Sequence, residues 1–228
     1  MKYLVLLLLA LQSTLATAQS SCSSDNVAPL RALAERFIPA DCATCWAEPL
    51  AASPSVQVLD WIVPGSAGED APLSAAATVD AESRLASLKL ALGKAQQVAM
   101  HNPTNPPGYR LRVAHGLAVN GYMGTSIELQ KYPRGAPDLT AVLLLVETIP
   151  QGTADSPIAR LLVRNMLQET WPLRSRHPVS AARQPLLSRR PMSLPQGTNP
   201  DHLQVMGWVQ NAQGRLLAAV QSRCAPDR

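Results

Sequence analysis

Four cysteines constrain this chain more than any other feature. Cys42 and Cys45 form a C-x-x-C pair, while Cys22 and Cys224 stand near opposite ends of the 228 residues. Whether such cysteines pair depends on compartment, because an oxidising one permits disulfides that a cytosol reduces. The first residues address that question. Lys2 supplies a short basic region, Tyr3 to Leu11 is an unbroken apolar run too short to cross a bilayer core, and Ala16-Thr17-Ala18 is a small-residue cleavage pattern. We therefore expect residues 1–18 to be a signal peptide, cleaved before Gln19, and the mature protein to be periplasmic or secreted. Lipidation of Cys22 is the weaker alternative, since Gln19-Ser20-Ser21 lacks the aliphatic residue of a lipobox. No later run is long enough to span a bilayer, so no transmembrane segment is expected in the mature chain. An even cysteine count then fits two bridges, Cys42 with Cys45 and, by remainder, Cys22 with Cys224. The termini of a domain often lie close together, which makes the second geometrically reasonable.

The rest of the chain must supply a core from few aromatic residues. Apolar residues make up 46% of it, but there is a single Phe and four Trp, so Leu, Val and Ala carry the packing. Twenty Pro and twelve Gly leave little room for an all-helical bundle. A net charge of +4 is too mild for a dedicated nucleic-acid binder, and no nucleic-acid partner is expected.

Patterning changes near residue 101. Before it, Leu30 to Ile38 reads as a strand, Val56 to Val63 as a buried strand, and Ala81 to Met100 as a helix with Leu85, Leu88, Leu92, Ala95 and Ala99 on one face. His101 to Gly108 reads as a linker. After it come strand candidates at 109–113, 122–130, 141–148, 158–164, 186–192, 203–210 and 215–221, the last two joined by a turn at 210–214 in which Gly214 takes a left-handed conformation. The expectation is an α+β protein, with a thioredoxin-like α/β domain over 19–106 followed by an antiparallel β-sandwich over 107–228.

The C-x-x-C carries most of the chemistry. Placed between a strand and a helix, it would set Cys42 at the helix N-terminus, where free N–H groups stabilise a thiolate, with Pro49 as a kink one turn beyond Cys45. Asp41 opposes this by raising the Cys42 pKa through like-charge repulsion. Cys42 and Cys45 are thus the candidate catalytic residues of a thiol-disulfide oxidoreductase, and an inert structural bridge is the competing reading.

Phe37 through Cys45, with both cysteines and a small-residue dipeptide between them, resembles the Phe-Thr-Ser-Gln-Gly-Cys-Ser-Ser-Cys segment of a family of uncharacterised bacterial secreted proteins, in which a thioredoxin-like domain precedes a β-sandwich. Ala141 to Glu147 is similar to that family's Val-Trp-Leu-Val-Glu strand, Val163 to Leu167 to its His-Asn-Val-Val-Arg segment, and Trp208 to Ala219 to its closing hairpin. The resemblance implies thiol-disulfide exchange with protein thiols or an envelope protein as partner. The family's proline facing the cysteines is replaced here by His115, ahead of a matching Val119-Asn120-Gly121. Either His115 faces the dithiol or this stretch belongs to the sandwich, the reading we prefer. In the first case Cys42, Cys45 and His115 would form a ligand set for Cu(I) or Zn²⁺, as in a metallochaperone.

Other signals are weak. There is no G-x-S-x-G, H-E-x-x-H, G-x-x-x-x-G-K-[ST] or G-x-G-x-x-G, and no cofactor is expected. His101, His177 and His202 read as solvated loop residues. The arginines between Arg160 and Arg190 read as a solvated loop in preference to an anion-binding surface. Trp61 and Trp208 read as core. The remaining function class is a binding or structural module in which all four cysteines are staples.

Overall fold

The computed structural model describes residues 22–133, 136–173 and 185–224; the expected signal peptide and His177 lie outside them. The longest apolar run explains the architecture. Strand β7 (Leu139–Ile149) is buried along nearly its whole length because it is covered on both faces. Leu139, Ala141, Leu143 and Leu145 join one core cluster, while Val142, Leu144 and Val146 join another on the opposite side.

Around β7 runs a seven-stranded sheet. Its order is β11 (Leu216–Gln221), β10 (Leu203–Gln210), β7, β8 (Arg160–Trp171), β3 (Gln57–Val63), β2 (Leu33–Pro39) and β4 (Gln97–His101). A four-stranded sheet of β1 (Cys22–Ser23), β5 (Arg110–Val119), β6 (Tyr122–Lys131) and β9 (Leu186–Ser193) packs over the β7, β10 and β11 end. Gly207 on β10 lets the two layers approach closely: a Cβ there would lie 2.8 Å from Val113 Cγ1 and 3.0 Å from Ile127 Cδ1.

The expected thioredoxin-like α/β portion followed by an independent sandwich is not what forms. The structure is mostly β, with two short helices among the described residues, α1 (Ala43–Ala47) and α2 (Val79–Ser87). Strands from both sides of residue 106 mix in each of the two sheets: in the larger, β3 runs parallel to β8 with Asp60 opposite Leu162, and in the smaller, β1 pairs with β5. The helix expected to reach Met100 begins after Thr78, whose hydroxyl accepts the Ala81 N–H, and stops at Ser87. Its stop is a Schellman motif: Lys89 adopts φ 57°, Lys89 N–H donates to Ala86 O, and Leu90 N–H donates to Leu85 O. Leu85 and Leu90 both pack on the same cluster, which seals the cap. Lysine at a position that usually takes glycine hid this end, and residues 97–101 pair with β2 as a strand.

The β10–β11 hairpin is held by Asn211, whose side chain accepts the Gln213 and Arg215 N–H groups, with Gly214 at φ 76°.

Candidate functional site

Strands β2 and β3 are parallel, so the chain between them must cross over, and α1 lies on that crossover. Cys42 N–H donates to Pro39 O, turning the chain out of β2, and Cys42 serves as the N-cap of α1. The Cys45 N–H donates to Cys42 Sγ at 3.2 Å, and Cys42 is bonded to Cys45. The two sulfur residues differ in setting. Cys45 is buried with Trp46, Ile38, Ala40, Ile62 and Leu162, whereas Cys42 is only partly covered at the edge of that cluster.

Asp41 is engaged by the loop after β3. Its carboxylate accepts from Ser66 N–H at 2.7 Å, Ser66 hydroxyl at 3.0 Å and Ala67 N–H at 3.2 Å. Donation by the Ser66 backbone, and then by its hydroxyl, holds the Asp41 carboxyl below the usual aspartate range. The loop must come close for this: a Cβ on Gly65 would sit 2.4 Å from Asp41 Cγ. Pro49 does not kink a helix. α1 ends at Ala47, and Glu48 is already extended at φ −92°, ψ 135°, as a residue before proline prefers.

Beneath α1 lies an ion cluster that sequence reasoning missed. β2 and β3 alternate, so Phe37 and Trp61 face one side of the sheet while Arg36 and Asp60 share the side of Ile38 and Ile62. Arg36 grips Asp60 with two bonds of 2.6 and 2.7 Å, and Arg160 from β8 donates to the same carboxylate at 2.9 Å. Remaining donors reach the end of α1: Arg36 to Glu48 O at 3.0 Å, Arg160 to Trp46 O and Glu48 O. The Arg160 guanidinium lies 4.3 Å from the Trp46 ring centroid. Arg36, Asp60 and Arg160 also line a cleft of about 360 Å³ with Pro49, Leu50 and Thr148.

The opposite face carries a second buried ion set. Glu35 receives Arg84 of α2 at 2.6 and 2.9 Å, and His101 Nε2 lies 2.8 Å from its Oε1. Burial raises the Glu35 carboxyl, but contact with His101 and Arg84 outweighs it and leaves the pKa below the ordinary glutamate value. His101 therefore lies on β4 against Glu35, half-buried, and is not a solvated loop residue. Arg160 and Arg164 likewise sit in strand β8, paired with Asp60 and Glu147, which corrects their reading as a loop. The clue in sequence was charge inside apolar strands, Glu35 and Arg36 in one and Asp60 in the other, since buried charges require partners. Trp61 and Trp208 are core residues, at 0% and 1% exposure.

His115 does not join the C-x-x-C. It lies on β5, in the four-stranded sheet, directly opposite Cys22, and its ring, Cys22 and Cys224 place their ligand atoms within 4.8 Å of one another. Cys22 is bonded to Cys224, the pairing expected from the sequence. The three candidate metal ligands Cys42, Cys45 and His115 are thus split between two sites. The reason is topological: Tyr109 to Asn120 pairs with β6 and β1, and not beside β3.

No helix among the described residues is long and apolar enough to cross a membrane. No family model and no curated protein matches the chain. Among solved structures it is similar to HBP35 of Porphyromonas gingivalis, at 12% sequence identity and a TM-score of 0.49, over 85% of this chain and 74% of that one.

Proposed function

We propose that this protein carries out thiol-disulfide exchange on protein thiols through the Cys42–Cys45 pair, as an exported protein. One observation carries the reading: a bridge that spans three positions has one partly exposed sulfur residue and one buried among apolar side chains. In the oxidising direction, a client thiolate attacks Cys42 Sγ, the Cys42–Cys45 bond breaks, and Cys45 leaves as the thiolate. A second client thiolate then attacks the mixed disulfide, releasing Cys42 and forming the client's bridge. The Cys45 N–H, already directed at Cys42 Sγ, supports negative charge there. Two disulfides and the lack of a membrane-length helix among the described residues are compatible with export.

A Cys45→Ser variant tests this. It should accumulate mixed disulfides through Cys42, and gently reduced parent protein should alkylate at Cys42 well before Cys45. Equal labelling with no trapped species would leave the second reading, a non-catalytic binding or structural module. That reading is favoured by the Trp46 and Glu48 carbonyls being held by Arg36 and Arg160, which anchors the segment as a staple would.

A further inference from the structure

The bridge between the chain ends has an unusual neighbour. His115 is 5% exposed, and its Nδ1 lies 3.0 Å from Gly116 O, which fixes that nitrogen as the donor. Nε2 is then a bare lone pair, and it is buried without a hydrogen-bond partner. Such an orphan costs free energy in a folded protein unless something uses it. A shift in β5 register follows His115, the kind of irregularity that re-aims a strand side chain. What lies closest among groups able to ligate a metal are the two sulfurs of Cys22–Cys224.

We propose that reducing the Cys22–Cys224 bridge opens a zinc site made of both thiolates and His115 Nε2. A dithiol reductant transfers two electrons to the bridge and is itself oxidised to its disulfide, leaving two thiols. Zinc then displaces both thiol protons to solvent. In a tetrahedral zinc site with these ligands, neighbouring ligand atoms stand about 3.5 to 3.8 Å apart. The present set, all within 4.8 Å, reaches that spacing if the sulfurs part and the imidazole closes in slightly. The backbone need not move for this: the Ser23–Arg223 bridge keeps the two cysteines side by side and β1 keeps Cys22 opposite His115, so that only the sulfurs and the imidazole have to shift. Cys224 is exposed and lines an open cleft of about 450 Å³ with Asp201 and His202, so water has a route to the fourth position.

The test uses the protein with Cys42→Ser and Cys45→Ser, so that only one cysteine pair remains, and it does not depend on the exchange activity proposed above. After anaerobic reduction and removal of reductant, Zn²⁺ titrated against a chromophoric chelator should bind at one equivalent, with none bound by the oxidised form. His115→Ala and His115→Gln should each weaken binding at least tenfold. Zinc should also raise the melting temperature of the reduced protein, and shift the midpoint potential of this bridge upward, because it binds only the reduced state. Absence of the equivalent in reduced protein would overturn the proposal. So would equal affinity in both His115 variants, or a reduced protein that stays unfolded when zinc is added.

Discussion

The two disulfides of this molecule differ most in what they close. Cys22–Cys224 joins positions 202 residues apart and ties the four-stranded sheet to the last strand of the other sheet. Cys42–Cys45 spans three positions within one turn and the start of a short helix. Chain entropy assigns them unequal weight: about 5 kcal/mol for a loop near 200 residues and about 2 kcal/mol for the short one. A bridge that contributes little stability is open to reduction and reoxidation at little cost to the fold. The terminal bridge is not, unless something stabilises its open form.

The largest expected effect breaks the terminal bridge. Replacing Cys22 and Cys224 with Ser should cost about 5 kcal/mol and lower Tm by roughly 10–20 °C, read by calorimetry under non-reducing conditions. A loss no larger than that of the short bridge would erase the contrast between them.

Next in size is the ion cluster that seats the C-x-x-C segment. Asp60→Asn leaves Arg36 and Arg160 buried beside each other without their shared carboxylate, and denaturant unfolding should show a loss of about 3–5 kcal/mol. A loss under 1 kcal/mol would mean that the segment is held by packing alone.

Acid should act more gently on the opposite face. Because the folded pKa of Glu35 is depressed below the ordinary glutamate value of 4.5, its contribution is fully present above that pH and is lost as pH falls below it through the folded value. The effect is smaller than that of Asp60→Asn, since it leaves one buried guanidinium, Arg84, without its carboxylate where Asp60→Asn leaves two. Urea midpoints should therefore fall below pH 4.5, and Glu35→Gln should flatten that slope.

Smallest is the change from Cys42→Ser with Cys45→Ser, at about 2 kcal/mol or less. A larger loss would favour the structural reading of the pair.

The legible parts of this fold were those written in local pattern. The run around Leu143 and the Gly214 turn announce a strand and a hairpin from local pattern, and the pairing of Cys22 with Cys224 is what remains once the C-x-x-C is taken as one bridge. What stayed hidden was set by distant contacts. The continuity of the seven-stranded sheet rests on Asp60 meeting Leu162, 102 positions apart and thus invisible to periodicity. The end of α2 depends on Lys89 taking a glycine-like conformation, which sequence disfavours. At the candidate site, the C-x-x-C was plain, but its supports, Arg36, Asp60 and Arg160, come from three strands. His115 was read either as facing the Cys42–Cys45 dithiol or, by preference, as part of the sandwich; it lies in the four-stranded sheet, and strand register sets it opposite Cys22, a neighbour the sequence did not announce.

The most direct measurement is a redox titration of the whole protein with each bridge followed separately by peptide mapping. The Cys42–Cys45 pair should be reduced at a potential well above about −300 mV, and Cys22–Cys224, in the absence of zinc, below it. Reduction of Cys42–Cys45 only below about −300 mV, together with or after the terminal bridge, would contradict the account and make both bridges staples.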